Sequence, residues 1–212
     1  MKKKMKKSSV ILAGISTLLI LTGCSPTELE ERIFPLIVMV DYEDGNVMYY
    51  AGLPRQREEG KSESNQEVQL SPVSEKGFAE SKKRYEENLT KRADYNHLKV
   101  LVLGEELIEN KTEYMRLLDE IAGKEEYPRN TYVCVTEEIE DLLEIQAELP
   151  QDLGSYLEEF LKNNRAQTVT LGDLLDEKAN RKRNLKLPYI SPQDTYVRWD
   201  GYYELKVENL EK

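Results

Sequence analysis

The most concentrated apolar run outside the N-terminus covers residues 98–103, with the sequence Leu-Lys-Val-Leu-Val-Leu. Gly104 and two glutamates follow at once, so the run is short for a helix. Valine alternating with leucine over such a span is typical of a strand that is buried on both faces. We therefore expect this segment to be the central strand, with the amphipathic segments around it packed against that strand.

Two earlier apolar runs, residues 33–40 and 47–50, flank the turn sequence Asp44-Gly45. Asp-Gly suits the positive φ angles of a tight turn, so the two runs are predicted to pair as an antiparallel hairpin. Residues 52–77, in contrast, are mostly polar and charged and cannot bury enough apolar surface to offset the entropy lost on ordering. We predict a mobile loop there.

Apolar residues at helical spacing predict helices on both sides of the central strand. The helices are expected near residues 78–89, 107–121, 136–143, 156–161 and 170–175. In the second of these Thr112 is the expected N-cap, and Thr170 is expected to cap the last one.

Further strands are predicted in the C-terminal half. Residues 131–135 form a strand-like run, and residues 185–190 contain Pro188, which suits an edge or connecting strand. Residues 196–199 and 202–207 flank Asp200-Gly201 and are predicted to form a closing hairpin around it. The expected fold class is therefore α+β, with a mixed sheet and flanking helices.

The N-terminus has the pattern of a bacterial lipoprotein signal. Five lysines in the first seven residues precede an apolar stretch that is too short to span a bilayer comfortably, and the segment ends Leu21-Thr22-Gly23-Cys24. Residues 1–23 are expected to be cleaved and Cys24 to carry a diacylglyceryl group, which would hold the protein on the extracytoplasmic face of a membrane. An ordinary cleaved signal with an incidental cysteine and an uncleaved anchor are the alternatives.

The charge of the processed chain excludes one class of partner. Removal of the five leader lysines changes the formal net charge from −10 to −15. DNA backbones and anionic lipid headgroups repel an acidic surface of this kind. We expect no nucleic-acid partner, and we expect membrane association to come from the lipid and from specific partners.

Residues suited to catalysis are scarce. His97 is the single histidine, so every Ser-His-Asp, Cys-His or multi-histidine metal arrangement would have to include it. A structural role for His97 is preferred, and Cys134 is predicted to be a buried structural thiol. The adjacent glutamate pairs are better interpreted as solvated faces than as catalytic carboxylates. We expect no enzyme activity, no cofactor and no metal.

Several segments, taken together, carry a family resemblance. They are the lipobox with its spacer and first strand, Asn96-His-Leu-Lys-Val-Leu-Val-Leu-Gly-Glu-Glu-Leu107, Arg129-Asn-Thr-Tyr-Val-Cys-Val135, Glu140-Asp-Leu-Leu143, Ser155-Tyr-Leu-Glu-Glu159, Val169-Thr-Leu171 and Leu187-Pro-Tyr189. With this set the chain resembles the Ger(x)C lipoprotein family, the C subunit of GerA-type spore germinant receptors. Ser25-Pro26 replaces the tryptophan that often follows the lipidated cysteine in this family. Family members usually continue into a large C-terminal domain, so the chain is expected to correspond to the N-terminal portion.

The resemblance implies a domain organisation and a function. We expect a signal peptide over residues 1–23, a Ger(x)C-like domain over 24–190 with the mobile loop at 52–77, and a closing hairpin or the start of a truncated second domain over 191–212. The implied function is that of a lipid-anchored, non-catalytic subunit in the spore inner membrane, which contacts polytopic membrane subunits of a germinant receptor. A generic extracytoplasmic ligand-binding lipoprotein is the main alternative, followed by a hydrolase that uses acidic residues.

Aromatic residues of the closing hairpin are the candidates for partner contact. They are Tyr196, Trp199, Tyr202 and Tyr203. Tyrosine and tryptophan are common interface anchors, and a hairpin at a chain end often leaves a sheet edge exposed. Their alternative role is to cover the core.

Overall fold

A computed structural model describes residues 31–54, 71–137, 139–163, 168–180 and 185–205. The predicted leader, Cys24, most of the predicted loop at 52–77 and the last residues of the closing hairpin lie outside the described residues. The strands are β1 (Arg32–Ile33), β2 (Ile37–Glu43), β3 (Asn46–Gly52), β4 (Val73–Glu75), β5 (Arg92–Ala93), β6 (Val100–Gly104), β7 (Tyr132–Thr136), β8 (Val169–Thr170), β9 (Lys186–Gln193) and β10 (Tyr196–Glu204). The helices are α1 (Phe78–Glu86), α2 (Glu105–Glu109), α3 (Lys111–Ala122), α4 (Ile139–Ile145), α5 (Leu153–Asn163) and α6 (Leu171–Asn180), and a 3-10 turn covers Tyr95–His97.

One mixed sheet organises the described part of the chain. Its strand order is β10-β9-β7-β6-β2-β3-β4, and β8 also pairs with β7. Strands β2, β6, β7 and β9 are mutually parallel, whereas β3, β4, β8 and β10 are antiparallel to their neighbours. The short strand β5 lies beside Ile33, whose carbonyl accepts from the Asp94 N–H. The sheet and its helices confirm the predicted α+β class.

The central strand is β6, between β2 and β7 as expected. Its apolar residues are at most 1% exposed because helices cover both faces of the sheet. On one face, the register places Leu103 beside Val40 and Tyr49, and the Tyr49 ring packs against Phe78 of α1. On the other face lies Tyr50, whose hydroxyl donates to Oε1 of Gln146 just after α4. Burial on two faces explains why this strand has a continuous apolar sequence.

The first hairpin has the predicted turn. Asp44 and Gly45 have φ angles of 49° and 81°, so both central residues adopt the left-handed conformation that Asp-Gly tolerates. This turn pairs β2 and β3 along seven residues each. Strand β4 pairs with β3, with Val73 beside Tyr49, and lies inside the range 52–77 that was predicted to be a mobile loop.

Two details, one at α3 and one at β9, differ from expectation. The N-cap of α3 is Asn110, whose Oδ1 accepts from the Glu113 N–H, and not Thr112, because α2 ends one residue before Asn110. Strand β9 is flanked by β7 and β10, so it is not at an edge of the sheet. Pro188 is accommodated because it lies beside the irregular part of β10, where the register shifts between Trp199 and Tyr202.

The closing hairpin also has a different turn from the one predicted. β9 and β10 are connected at residues 194–195, where Asp194 has a φ of 49°. Asp200-Gly201 lies inside β10 as a bulge, with Gly201 at a φ of 100°. The prediction that Asp200-Gly201 contains a left-handed residue is therefore correct. The predicted hairpin loop is wrong, because residues 196–199 pair with β9 and Asp200-Gly201 forms a bulge within β10.

Candidate partner-contact site

The β9–β10 hairpin ends the order of the described strands. β10 pairs with β9 along most of its length, and among the described strands it has no partner on its other side. Part of this outer edge is covered, since the Tyr156 hydroxyl accepts from the Val197 N–H at 3.3 Å. The hairpin is thus a sheet edge held against α5, which carries Tyr156.

The register divides the four predicted contact residues between the two faces. Trp199 and Tyr202 lie on one face, and their rings meet edge to face at 5.0 Å between centroids. Tyr196 and Tyr203 lie on the opposite face, at different positions along the strand. Tyr196 and Tyr202 are 47% and 42% exposed, whereas Trp199 and Tyr203 are half-buried. The structure does not bring the four together as one surface.

The hairpin carries one ion pair within β10 and one between β9 and β10. Arg198 donates to both carboxylate oxygens of Asp200, at 2.6 and 3.0 Å, and its hydrogen bond lowers the pKa of that carboxyl. Lys186 pairs across the strands with Glu204 at 2.6 Å, and its hydrogen bond lowers the pKa of Glu204. Arg198, Asp200 and Glu204 lie on the edge strand β10, where natural sheets commonly place charges, and Lys186 lies on β9.

The sequence did not predict a second group of residues near the hairpin. The Tyr189 hydroxyl donates to Oε2 of Glu105 at 2.9 Å, and the Tyr189 ring stacks on Tyr203 with 6.5 Å between centroids. Burial, followed by the Glu105 carboxylate, raises the pKa of Tyr189, and Glu137 adds to the effect. Burial, Glu105 and Glu109 likewise raise the pKa of Tyr203. One face of the hairpin therefore adjoins a group of carboxylates at the carboxyl ends of β6 and β7.

Topology explains the position of this group. Glu105 follows β6 directly and Glu137 follows β7, and the carboxyl ends of parallel strands meet at one edge of a sheet. In the sequence, each of two apolar strand-like runs is followed at once by a glutamate. Those glutamates can be predicted to lie close together only if the two strands are known to be parallel, and the sequence alone did not establish that.

His97 and Cys134, the residues considered for catalysis, lie in different environments. His97 is exposed and its ring packs edge to face on Phe34 at 5.0 Å. Cys134 is buried in β7, and burial raises the pKa of its thiol, as an inert thiol requires. In the part of the chain that the structure describes, no group of three His, Cys, Asp or Glu residues is placed to hold a metal ion.

Asp41, at the carboxyl end of β2, is the carboxylate with the most unusual environment. Burial raises its pKa from the ordinary 3.8 to about 6, against the opposing effect of hydrogen bonds from the Tyr42 and Leu107 backbone N–H groups. Gly104 makes room for it, since a Cβ at that position would overlap the Asp41 carboxylate. Asp41 therefore serves to connect β2 to the first turn of α2.

A groove of about 720 Å³ runs between the start of α1 and the end of α3. Charged side chains are prominent in its lining, among them Lys76, Glu80, Arg116, Asp119 and Lys124. Sites for small molecules are usually concave and mostly apolar. This groove does not have the deep apolar character expected of the ligand-binding alternative.

A family model described as the spore germination protein N-terminal domain matches residues 25–192. The chain belongs to this family, the Ger(x)C spore germination proteins. Comparisons with curated proteins and with solved structures found no significant match. The family match starts directly after Cys24 and stops one residue before the end of β9, so it includes Glu105, Glu137 and Tyr189 but not β10.

The family assigns the chain a role in spore germination. No helix among the described residues is long and apolar enough to cross a bilayer.

Proposed function

We propose that the chain is a lipid-anchored, non-catalytic subunit of a spore germinant receptor. The observation that carries this proposal is the family match over residues 25–192, which starts at the residue after the lipobox cysteine. In this proposal Cys24 becomes the N-terminus and its acyl chains hold the domain on the extracytoplasmic face of the spore inner membrane. The domain supports the germinant response by contacting polytopic membrane subunits.

Tethering favours a function by contact. A protein held at the membrane meets its membrane partners at a high effective concentration, so modest contacts suffice for assembly. Burial of Cys134, which raises the pKa of its thiol, agrees with a chain that does no chemistry at this cysteine. The groove between α1 and α3 gives no support to the ligand-binding lipoprotein alternative.

The test of the anchor replaces each cysteine in turn. Cys24→Ala should abolish incorporation of labelled palmitate and shift the protein from the membrane fraction to the soluble fraction, or leave an unprocessed precursor. Cys134→Ala is the matched control and should be labelled and fractionated like wild type, because Cys134 is buried in the core. Palmitate incorporation that is equal in wild type and Cys24→Ala would refute the anchor.

The test of assembly uses detergent-solubilised membranes. Tagged wild-type chain should copurify with the polytopic receptor subunits coexpressed with it. Acylated chain that recovers none of those subunits would contradict the receptor role and favour the ligand-binding alternative. His97→Gln protein that folds normally yet abolishes germination would contradict the non-catalytic part of the proposal.

A further inference from the structure

Two consecutive basic residues lie at the short strand β5. Lys91 precedes the strand, Arg92 begins it, and both are exposed. The residue after β5 donates its N–H to the Ile33 carbonyl at 2.8 Å, and the next residue of that segment, Phe34, packs edge to face on the exposed His97 ring. Backbone and ring contacts therefore join these residues as one surface. We name it the basic ribbon and define it by Ile33, Phe34, Lys91, Arg92 and His97.

The basic ribbon lies at the amino ends of the parallel strands. Leu36, just before β2, accepts from the N–H groups of Lys99 and Val100, and Val100 begins β6 beside Ile37 of β2. The turns that follow β2 and β9 lie at the opposite edge of the sheet, at the carboxyl ends of these strands. Strand β9 has eight residues, so the two edges are roughly 25 Å apart. A flat surface can therefore contact one edge without the other.

The two cations of the ribbon have free charges. Most lysines and arginines in the described ranges pair with a carboxylate, and Lys83 and Arg84, for example, both pair with Glu87. Lys91 and Arg92 form no ion pair with any residue that the structure describes. An exposed cation without a partner keeps its charge available to an anion from outside the chain.

The acyl anchor holds this ribbon close to lipid. In the proposed function the acyl chains are attached to Cys24, and Ile33 follows nine residues later in the chain. Nine residues span at most about 30 Å even when fully extended. Ile33 therefore stays within that distance of the membrane surface, and the adjacent cations meet the headgroups at a high effective concentration.

The chemistry of the ribbon fits an anionic lipid surface. Each lysine or arginine near such a surface favours contact roughly fivefold. Ile33 and Phe34 are apolar but only half-buried, and proteins that bind membrane surfaces place apolar and aromatic side chains beside basic ones. We infer that the basic ribbon docks on anionic headgroups of the leaflet that holds the acyl chains.

The net charge of the chain makes this contact local. The processed chain has a formal charge of −15, and Glu28, Glu30 and Glu31 precede the ribbon in the sequence. Docking through the ribbon points the amino ends of the parallel strands at the membrane, so Glu105 and Glu137, at the carboxyl ends, face away from the headgroups. The inference rests on the proposed function for the anchor alone.

The experiment measures which edge of the domain touches the membrane. The acylated full chain with Asn96→Cys is labelled with a nitrobenzoxadiazole maleimide and reconstituted into vesicles that contain a headgroup spin-labelled lipid, which quenches the dye at short range. Asn96 is exposed beside His97, and labelling is selective because Cys24 is acylated and Cys134 is buried. Quenching should be strong in vesicles of equal parts phosphatidylcholine and phosphatidylglycerol and weak in phosphatidylcholine alone. Flotation of the vesicles measures anchoring separately.

Two double variants distinguish local from overall charge. Lys91→Gln with Arg92→Gln should lower the ratio of docked to undocked chain about tenfold or more, because both ribbon cations are lost. Lys76→Gln with Lys111→Gln is the matched control, since these lysines also lack an ion pair with any described residue and lie toward the carboxyl-end edge, after β4 and at the start of α3. This control should stay within about twofold of wild type.

A second dye position tests the orientation. Thr195→Cys places the dye in the exposed turn between β9 and β10, at the edge opposite the ribbon. Its quenching should be weak in both kinds of vesicle, because a domain docked through the ribbon holds that turn away from the headgroups.

Four outcomes would overturn the inference while the chain still floats with the vesicles. They are weak quenching at position 96 in anionic vesicles, equal quenching there in neutral and anionic vesicles, an equal loss in the two double variants, and equal quenching at positions 96 and 195. Chain that floats with neither vesicle would refute the anchor and the ribbon's docking with it. The expected quenching pattern without copurified receptor subunits would refute the receptor role and keep the ribbon.

Discussion

Replacement of Asp41 by asparagine tests how the sheet is joined to α2. Burial raises the pKa of Asp41 from the ordinary 3.8 to about 6, so the folded chain holds the proton more tightly than the unfolded chain between these values. Ionising Asp41 disfavours the folded state. The stability contributed by protonated Asp41 is therefore lost as the pH rises from about 4 to 7 and is regained on acidification.

The difference between a pKa of about 6 and 3.8 corresponds to at most about 3 kcal/mol, and solvent screening of a partly accessible carboxylate reduces this to about 1–2 kcal/mol. Asparagine keeps an oxygen that can accept from the Tyr42 and Leu107 N–H groups but does not titrate. Asp41→Asn should therefore be more stable than wild type by that amount at pH 7.5, and the two should converge near pH 4.

The assay is urea unfolding of both proteins, with the free energy of unfolding measured at half-unit steps from pH 4 to 8. The difference between the two proteins isolates Asp41, because the other carboxylates titrate in both. Glu125→Gln, which is exposed and is not among the groups that act on the pKa of Asp41, serves as the control and should show no such trend. A difference that is constant across the pH range, or an asparagine variant that is less stable at pH 7.5, would refute the argument and assign Asp41 the role of a favourable charged cap.

Two further substitutions test packing around this core. Gly104→Ala should cost about 2–3 kcal/mol because its Cβ would overlap the Asp41 carboxylate, and Asp41→Ala in the same chain should recover part of the loss in a double-mutant cycle by urea unfolding. Lys82→Met should cost about 1–3 kcal/mol, since it removes a buried ammonium that lies 2.8 Å from Glu126 and 4.6 Å from the centre of the Tyr95 ring. The exposed Lys83→Met should shift the melting temperature little, and equal shifts for the two lysines would contradict this account.

Local patterns in the sequence predicted the elements well where burial is uniform. The apolar run at 98–103 became β6 because both faces of that strand are covered, and Asp44-Gly45 formed its turn because the two strands that it connects pair with each other over their whole length. Asp200-Gly201 carries the same local signal, yet it forms a bulge, because β9 competes as a partner for residues 196–199. The sequence predicted where the backbone adopts positive φ angles, but the choice of partner strand depends on contacts between residues that are distant in sequence.

The candidate site shows the same limit. Tyr203 was predicted to be a contact residue from its type and position, but its neighbours Tyr189, Glu105 and Glu109 come from elements far apart in the chain. Only the parallel order of β6, β7 and β9 brings them together. Without knowledge of that strand order, the sequence contains many glutamates and gives no reason to select Glu105 and Glu109.

The construction of β10 indicates how a partner would approach. An exposed strand edge can pair with another chain through its backbone, and natural proteins oppose this with bulges and charges. β10 has both, a bulge at residues 200–201 and the exposed ion pairs of Arg198 and Lys186, and Tyr156 already accepts one outward N–H. Strand addition is therefore disfavoured along this edge. Side chains on the faces of the hairpin remain accessible, Tyr196 and Tyr202 among them, so contact through side chains fits the geometry of β10 better than extension of the sheet.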